Sequence, residues 1–400
     1  MPPAASSLSN PDPRGPRPPG DEVRRCLLVF DAPDGGVAEH VLRLALGLER
    51  KGWEPWVAGP ESAVIYDRLG AAGVPTLRLP FRPRYRHVGE DLRAVHRLER
   101  LLRRCRFQLV NTHSPKAGVL GRLAALAAGV PVVVTAHGFA FNPAVRGRAG
   151  CRVSLAAERM LAPRTHGFIC VSEAVRRLAL ERRLADPGVL YVVHNGAPTC
   201  DGGLGGVPEL ERFSREGPLA GCMSVLGPGK GVHTFVEAGR HVLDRQPQAR
   251  LAVIGNGPLR DDLERRARAL GLGERLRFFD YTAPSARQLR ALDVFVLASP
   301  WEAFPIGPLE AMACGVPQVT TAVGGTPEAV RDGKTGLLCP PADPPALADR
   351  IVRLLGDPAL RARMSEASRE RHSRLFTIAR MLDETAAVYE HVAAEHGACP

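Results

Sequence analysis

Short apolar stretches alternate with longer amphipathic stretches along almost the whole chain. Runs of valine, isoleucine and leucine that are each followed by a helical pattern are typical of buried parallel strands joined by helices. In the first half, helices are predicted, for example, at 37–51 and 92–104. Strands are predicted between such stretches, at 26–30, 55–58, 76–79, 108–112, 132–135, 167–171 and 191–193.

The alternation stops at residues 197–217, which are rich in glycine and proline and predict a linker. It then resumes, with strands predicted at 221–226, 250–255, 276–279, 294–297, 318–321 and 336–339. The pattern predicts an α/β protein with two Rossmann-like, doubly wound domains facing a central cleft. The domains are predicted at 23–196 and 218–375, after a disordered leader at 1–22 and before a C-terminal helix at 376–400 that crosses back to the first domain.

Composition is that of a soluble globular protein, with 45% hydrophobic and 24% charged residues among 400. No stretch of about 20 apolar residues indicates a membrane-spanning helix. The nine cysteines form no C-x-x-C pair and no cluster with histidine at metal-ligand spacing. We therefore expect neither a disulfide framework nor a zinc site, and a cytoplasmic location.

Positive charge is concentrated in the first half of the chain. Residues 1–196 carry a net charge of +12, whereas residues 197–400 carry −1. This excess is either an ordinary solvated face or a surface that contacts anionic lipid at the inner face of the membrane. Nucleic acid is not expected, because few aromatic residues accompany the basic run, which comprises Arg82, Arg84, Arg86, Arg93, Arg97, Arg100, Arg103, Arg104 and Arg106.

The most informative segment for chemistry is residues 299–317, SPWEAFPIGPLEAMACGVP, which follows the predicted strand 294–297. Pro308 favours the start of a helix and Gly315 its end. Glu302 then lies in the loop before this helix and Glu310 in its first turn. A helix N-terminus offers free N–H groups and partial positive charge, which suit a diphosphate.

Glu302 and Glu310, separated by seven residues, resemble the E-x7-E signature of the retaining family 4 glycosyltransferases. Further stretches resemble the family in the same order: 34–40 (DGGVAEH), 113–122 (HSPKAGVLGR), 134–141 (VTAHGFAF), 171–173 (VSE), 194–196 (HNG), 230–231 (KG), 253–259 (VIGNGPL) and 324–328 (GGTPE). The resemblance covers about residues 23–390. It implies the GT-B fold and transfer of a sugar from a nucleotide-diphosphate donor to a glycan or lipid-linked acceptor, with retention and without a metal or other cofactor.

The resemblance also implies roles for individual residues. Lys230 contacts the diphosphate, Glu310 holds the ribose hydroxyls, and Glu302 and His137 contact the transferred sugar; of these, Glu302, His137 and Lys230 are the expected catalytic residues. The other expected substrate-binding residues are Gly35, Gly36, Ile306, Gly307, Leu309, Gly255, Asn256, Gly257 and His113. For His113, as for Lys116, a purely structural role remains the alternative.

One position departs from the family pattern. An arginine usually precedes the lysine, whereas residues 225–231 here read VLGPGKG and contain none. Losing one charge-assisted hydrogen bond to phosphate costs about 1.5–3 kcal/mol. Either an arginine from elsewhere substitutes, or the enzyme is slow or inactive, and a degenerate sugar-nucleotide-binding protein therefore stays open as an alternative. A nucleotide-sugar epimerase of the same fold is a separate alternative, although no carboxylate signature for epimerisation is present.

Overall fold

A computed structural model describes residues 24–81, 87–142, 147–200, 203 and 205–396. The predicted leader 1–22 and Arg82, Arg84 and Arg86 of the basic run lie outside these residues. The chain forms thirteen strands over the described residues: β1 Arg24–Val29, β2 Trp53–Pro60, β3 Thr76–Leu79, β4 Leu109–His113, β5 Val132–Ala136, β6 Gly167–Cys170, β7 Leu190–Val192, β8 Leu219–Met223, β9 Arg250–Ile254, β10 Leu276–Phe279, β11 Val294–Leu297, β12 Gln318–Thr321 and β13 Gly336–Cys339.

Helices connect these strands and cover both faces of each sheet. They are α1 Gly35–Gly47, α2 Tyr66–Ala71, α3 Val88–Cys105, α4 Pro115–Ala128, α5 Arg148–Leu161, α6 Glu173–Glu181, α7 Pro208–Ser214, α8 Val232–Arg245, α9 Arg260–Ala269, α10 Ala286–Leu289, α11 Ile306–Cys314, α12 Thr326–Ala329, α13 Pro344–Gly356, α14 Pro358–Leu375 and α15 Ile378–His396. None of the helices formed by the described residues combines the length and apolar character that a membrane span requires.

Both sheets are entirely parallel, and they share one strand order except that the first sheet has an additional strand, β7. The first sheet has the order β3-β2-β1-β4-β5-β6-β7 and the second the order β10-β9-β8-β11-β12-β13. In each, the order reverses next to the strand that begins the sheet, between β1 and β4 and between β8 and β11. Ligands bind outside the carboxyl ends of the strands at such switch points. The predicted doubly wound α/β class is confirmed, and the topology locates the crevice.

The C-terminal helix α15 packs on the first sheet, although it follows the second sheet in sequence. Tyr389 is completely buried, its ring meets that of Trp53 edge to face at 5.4 Å between centroids, and its hydroxyl accepts a hydrogen bond from Asn111 Nδ2 at 2.5 Å. Burial of an aromatic side chain with its hydroxyl satisfied is strongly stabilising. The chain therefore crosses between the halves twice, near residue 197 and again before α15.

The predicted linker 197–217 differs from the structure, because it contains helix α7. Pro208 occupies the first position of this helix, which suits its fixed φ and missing N–H. Leu210 and Phe213 are fully buried in the core of the second sheet. Two apolar residues three positions apart are too few to produce a visible helical period, so the sequence pattern did not indicate this helix.

Candidate active site between the two sheets

The switch points of the two sheets supply the polar residues of the cleft. The loop after β1 leads into α1 at Gly35, and β4 ends at His113. In the second sheet, the loop after β8 carries Lys230, and the loop after β11 carries Glu302 and leads into α11. Parallel strands of one sheet end on the same side, so each pair of loops lies side by side.

Glu302 and Lys230 form an ion pair in the second half. Lys230 Nζ donates to Glu302 Oε1 at 2.7 Å, and the hydroxyl of Ser299 donates to the same oxygen at 2.8 Å. Glu302 is buried, whereas the side chain of Lys230 is 39% exposed. The carboxylate therefore holds an ammonium group whose remaining two N–H donors are free for another anion.

Gly231 brings Lys230 close to the end of β11. Gly231 has φ +63°, and a Cβ at this position would lie 2.0 Å from the carbonyl oxygen of Ala298. Any side chain would push the lysine loop away from the loop that carries Glu302. The glycine of the Lys-Gly pair is thus required by the close approach of two backbones.

Helix α11 carries Glu310. The helix begins at Ile306 rather than at Pro308, so Glu310 opens its second turn rather than lying in its first. Gly315 adopts a left-handed conformation with φ +68° and ends the helix, as predicted. The N–H groups of Ile306 and Gly307 lie in the first turn and have no partner within the helix, whereas the N–H of Leu309 is the first that can bond to the N-cap carbonyl of Pro305. This N-terminus can receive an anion.

Arg43 of α1 reaches across the cleft to Glu310. Its Nη2 lies 2.8 Å from Glu310 Oε1, and its other nitrogens donate to the carbonyl of Gly196 at 2.6 Å and to Glu39 at 3.2 Å. Burial raises the pKa of Glu310 above its usual value, and the Arg43 guanidinium opposes that rise. The two halves of the protein are therefore joined by an ion pair at a residue that was predicted to bind the ribose.

The glycine loop of the first half lies opposite the start of α11. A Cβ on Gly36 would lie 3.9 Å from the side chain of Ile306. Gly35 has φ +76°, and α1 begins there without a side-chain cap. The N–H groups of this second helix N-terminus are thus also uncapped by side chains. The structure brings the predicted residues Gly35, Gly36 and Ile306 together.

Three histidines form a cluster at the ends of β4 and β5 and on α1. His113 Nδ1 lies 3.1 Å from His137 Nε2, and the ring centroids of His40 and His137 lie 4.6 Å apart. Burial lowers the pKa of all three, that of His137 to about 4, so the rings are neutral at pH 7. One nitrogen of each ring lies within 4.8 Å of the others, as a metal site would require. The absence of a bound metal stays a sequence prediction.

The glycine-rich loop after β9 is close to the lysine loop but mainly shapes it. A Cβ on Gly255 would lie 1.9 Å from the carbonyl oxygen of Ser224, and one on Gly257 would lie 2.4 Å from that of Leu226. The Asn256 carbonyl accepts from Leu226 N, and its side chain accepts from Tyr281 N at 3.0 Å. Asn256 therefore orients the loop after β10 in addition to the loop before Lys230.

Other residues singled out in the sequence have structural partners. Lys116 is buried and pairs with Asp91 at 2.6 Å, which favours the structural alternative for this lysine. The Asn195 side chain donates to the carbonyl of Phe304 at 2.7 Å, and His194 Nε2 lies 3.1 Å from Glu328. His194 and Asn195 therefore attach the end of the first half to the loops of the second half.

The structure contains a disulfide between Cys200 and Cys314, with a Cα–Cα distance of 4.9 Å. The expectation that the chain has no disulfide framework therefore missed this single bond. The two residues are separated by 114 positions, and neither belongs to a short-spaced motif, so sequence spacing gave no signal. Cys314 ends α11 and Cys200 lies just after the crossing between the halves. The bond thus attaches this crossing to the helix that carries Glu310.

Four residues of the site were not singled out as ligands in the sequence: His40, Arg43, Tyr281 and Ser299. His40 and Arg43 follow the glycine loop by one and two turns of α1, so their helical spacing from Gly36 was a usable signal. Partial burial, together with the negative charges of nearby Glu310 and Glu39, raises the pKa of Tyr281 to about 12. Its position beside Glu310 depends on the fold and has no local sequence signal.

Two family profiles match adjoining parts of the chain. The profile described as Glycosyltransferase Family 4 matches residues 34–199. The profile described as Glycosyl transferases group 1 matches residues 210–371. The two matches follow the division between the two sheets.

Curated relatives align over most of their length. A phosphatidyl-myo-inositol mannosyltransferase of Mycobacterium leprae is 30% identical over 363 residues, which are 86% of this chain and 90% of the relative. An Escherichia coli UDP-Gal:alpha-D-GlcNAc-diphosphoundecaprenol alpha-1,3-galactosyltransferase is 29% identical over 345 residues, 83% of this chain and 86% of the relative.

Solved structures share the fold. Anabaena HepE in complex with UDP and glucose has a TM-score of 0.79 at 20% identity and covers 91% of this chain and 99% of its own. A sucrose-phosphate synthase from Thermosynechococcus elongatus has a TM-score of 0.79 at 21% identity. The match covers 93% of this chain and 100% of the synthase chain. At this level of identity the likeness concerns the arrangement of the two sheets.

Proposed function

This chain belongs to glycosyltransferase family 4 and has its GT-B fold, and from this premise we propose that it is a retaining transferase that needs no metal on the donor diphosphate. That it is a glycosyltransferase using a nucleotide sugar follows from the family. Retention, metal independence, the acceptor and the roles of single residues belong to the proposal. The observation that carries it is the Lys230–Glu302 ion pair, which lies in the loops just before α11, the helix that carries Glu310.

The diphosphate of the donor binds between Lys230 and the first turn of α11. Lys230 supplies a half-exposed ammonium group, and the helix supplies free N–H groups and partial positive charge. Two charge-assisted contacts of about 1.5–3 kcal/mol each stabilise the departing diphosphate more than the neutral sugar. This arrangement takes the place of a divalent cation as the group that neutralises the leaving group.

The ribose binds at Glu310 and the transferred sugar between Glu302 and His137. Glu302 retains acceptor capacity on its second oxygen, because the contacts with Lys230 and Ser299 both use Oε1. Neutral His137 both donates and accepts hydrogen bonds, which suits an uncharged sugar hydroxyl. The sugar is thus fixed by groups from both halves of the protein.

Transfer proceeds on one face of the sugar. The bond between the anomeric carbon and the diphosphate oxygen breaks, and the acceptor hydroxyl oxygen forms a new bond from the same side. The released diphosphate takes the proton of that hydroxyl, so the products are a nucleoside diphosphate and the glycoside. No side-chain nucleophile is needed in this sequence of bond changes.

The acceptor is proposed to be a glycan or a lipid-linked molecule at an anionic membrane surface. Two relatives have lipid-linked acceptors in their names, diphosphoundecaprenol and phosphatidyl-myo-inositol. Helix α5 exposes two apolar side chains, Val153 at 72% and Met160 at 68%, among Arg148, Arg152 and Arg159. Apolar side chains flanked by arginine are typical of helices that lie in a lipid headgroup region. The protein then acts from the cytoplasm at the inner face of the membrane.

The direct test is turnover in the presence of EDTA. Purified protein is incubated with UDP-, GDP- and ADP-sugars, and release of the nucleoside diphosphate is followed with and without EDTA. We expect release from one donor class that is unaffected by EDTA and enhanced by an acceptor, with the anomeric configuration of the product assigned by NMR. Release that needs a divalent ion, or an inverted product, would overturn the corresponding part of the proposal.

A further inference from the structure

Arg43 contacts the residue to which ribose binding is assigned, although it lies in the other half of the protein. Its guanidinium is buried, with 7% of the side chain exposed, and each of its three nitrogens has a partner. The partners are Glu39 on the same helix, the carbonyl of Gly196 where the chain leaves the first half, and Glu310 on α11. Arg43 therefore links helix α1 and the end of the first half to helix α11 of the second half.

Glu310 needs such a partner. Its side chain is only 15% exposed, and burying a carboxylate without a partner favours the neutral acid. Burial raises its pKa, whereas Arg43 and a hydrogen bond from Ser285 oppose the rise. The negative charge of Glu39 adds to the rise in the pKa of Glu310. An ionised carboxylate is the form that accepts two ribose hydroxyl hydrogen bonds.

We infer that Arg43 is a positioning residue for the donor: from the first half of the protein, it keeps Glu310 of the second half ionised and aimed at the ribose. This rests on the proposed function. The contact uses Glu310 Oε1 and one arginine nitrogen, so lone pairs on both carboxylate oxygens remain for hydroxyl groups. Arg43 does not replace the arginine missing from residues 225–231, since its nitrogens are already engaged.

Other charged groups near Glu310 can also influence its ionisation, and their influence must be distinguished from that of Arg43. Tyr281 lies close enough for Glu310 to raise its pKa. Arg68 of α2 pairs with Glu39 at 3.1 Å but is 59% exposed. The elements packed against α11 add more arginines: Arg287 on α10, Arg290 directly after α10, and Arg369 on α14. Arg287 donates to the carbonyl of Gly205 and Arg369 to that of Cys314, the last residue of the helix.

The test compares the pH dependence of nucleotide affinity in matched arginine variants. UDP, GDP and ADP are titrated calorimetrically into wild type, Arg43→Met, Arg43→Lys and the control Arg68→Met between pH 5.5 and 9. We expect one nucleotide to bind Arg43→Met at least tenfold more weakly than wild type at pH 6 and to approach wild-type affinity at pH 9. In Arg43→Met, the pH below which nucleotide affinity falls should be higher than in wild type by about 1 to 3 pH units. This is the usual effect of removing one adjacent opposite charge from a carboxylate.

Arg43→Lys keeps a cation and should restore part of the affinity at pH 6, whereas Arg68→Met should match wild type. Unchanged affinity of both Arg43 variants, or a loss in Arg43→Met that is equal at every pH, would overturn the inference, because a merely structural role has no pH signature. If Arg43→Met does not fold, the same comparison is made with Arg43→Lys. Wild type that binds none of the three nucleotides would overturn the proposed function itself.

Discussion

Lys230 Nζ and Glu302 Oε1 lie 2.7 Å apart, so the cation assigned to the donor diphosphate and the carboxylate assigned to the sugar hold each other in place. The pair joins the carboxyl ends of the two strands at the switch point of the second sheet, β8 and β11. Donor binding then adds a diphosphate to an ammonium group that is already positioned, which reduces the ordering cost of binding.

Removing the positive charge of Lys230 should weaken stabilisation of the donor diphosphate in the transition state. Loss of one charge-assisted contact of about 1.5–3 kcal/mol predicts a decrease of roughly ten- to hundredfold in kcat/KM for Lys230→Ala. The matched control is Lys334→Ala, which removes an exposed lysine of the second half. Steady-state kinetics with the preferred donor checks this, and equal kcat/KM for both variants would exclude Lys230 from the diphosphate site.

Replacing His137 should lower the affinity for the nucleotide sugar but not the affinity for the free nucleoside diphosphate. The His137→Ala variant loses one hydrogen bond to the sugar, which is worth about 1 kcal/mol, or roughly fivefold in affinity. Affinity for the nucleoside diphosphate without the sugar should stay within twofold of wild type. Parallel titrations of the two ligands measure the difference. A similar loss for both ligands would show that His137 acts on the protein rather than on the sugar.

Much of the site follows from local sequence, and the exceptions share one cause. Strands β3, β10, β11, β12 and β13 have the predicted bounds. The clearest case is β11, a fully buried run of four apolar residues, which is typical of a parallel strand covered on both faces. The Arg43–Glu310 pair and the Cys200–Cys314 bond join positions 267 and 114 residues apart. Such contacts are set by how the two sheets face each other, which no local pattern encodes.

The disulfide should contribute to stability. Cross-linking a loop of this length typically stabilises the folded state by about 2–4 kcal/mol. Reduction, or the Cys200→Ser variant, should therefore lower the urea midpoint, whereas Cys151→Ser, which changes a partly exposed cysteine outside this bond, should not. Urea unfolding with and without reductant measures the effect. A midpoint that does not respond to reductant would mean that the bond does not stabilise the fold.

Stability should fall as the pH is lowered below about 6.5. His40, His113 and His137 have lowered pKa values in the folded protein, whereas an unfolded histidine titrates near 6.5. The unfolded state therefore binds more protons in this range, and each histidine costs about 1.4 kcal/mol per pH unit until its folded pKa is reached, about 4 for His137.

Urea unfolding at pH 7 and pH 5 checks this prediction. The His113→Asn variant should show a shallower loss of stability than wild type, whereas His241→Asn, which changes an exposed histidine, should behave as wild type. Equal stability of wild type at the two pH values would show that the cluster is not held neutral by burial.

Membrane contact should depend on α5 and on ionic strength. Sedimentation with anionic vesicles should capture wild type at low salt and release it at high salt, because exposed charges are screened. Changing Arg148, Arg152 and Arg159 to Glu should abolish capture. The control makes the same charge change in the second half, at Arg268, Arg353 and Arg363. Equal capture of the two triple variants would show that the membrane contact is not made by α5.

The most direct test of the central claim is nucleotide binding by wild type and Glu310→Gln in EDTA, measured by calorimetry with UDP, GDP and ADP at pH 8. We predict that wild type binds one of the three and that Glu310→Gln binds it at least tenfold more weakly, since a charged acceptor of ribose hydroxyls is lost. Absence of binding to any of the three, or equal affinity of the two proteins, would contradict a donor site built on Glu310.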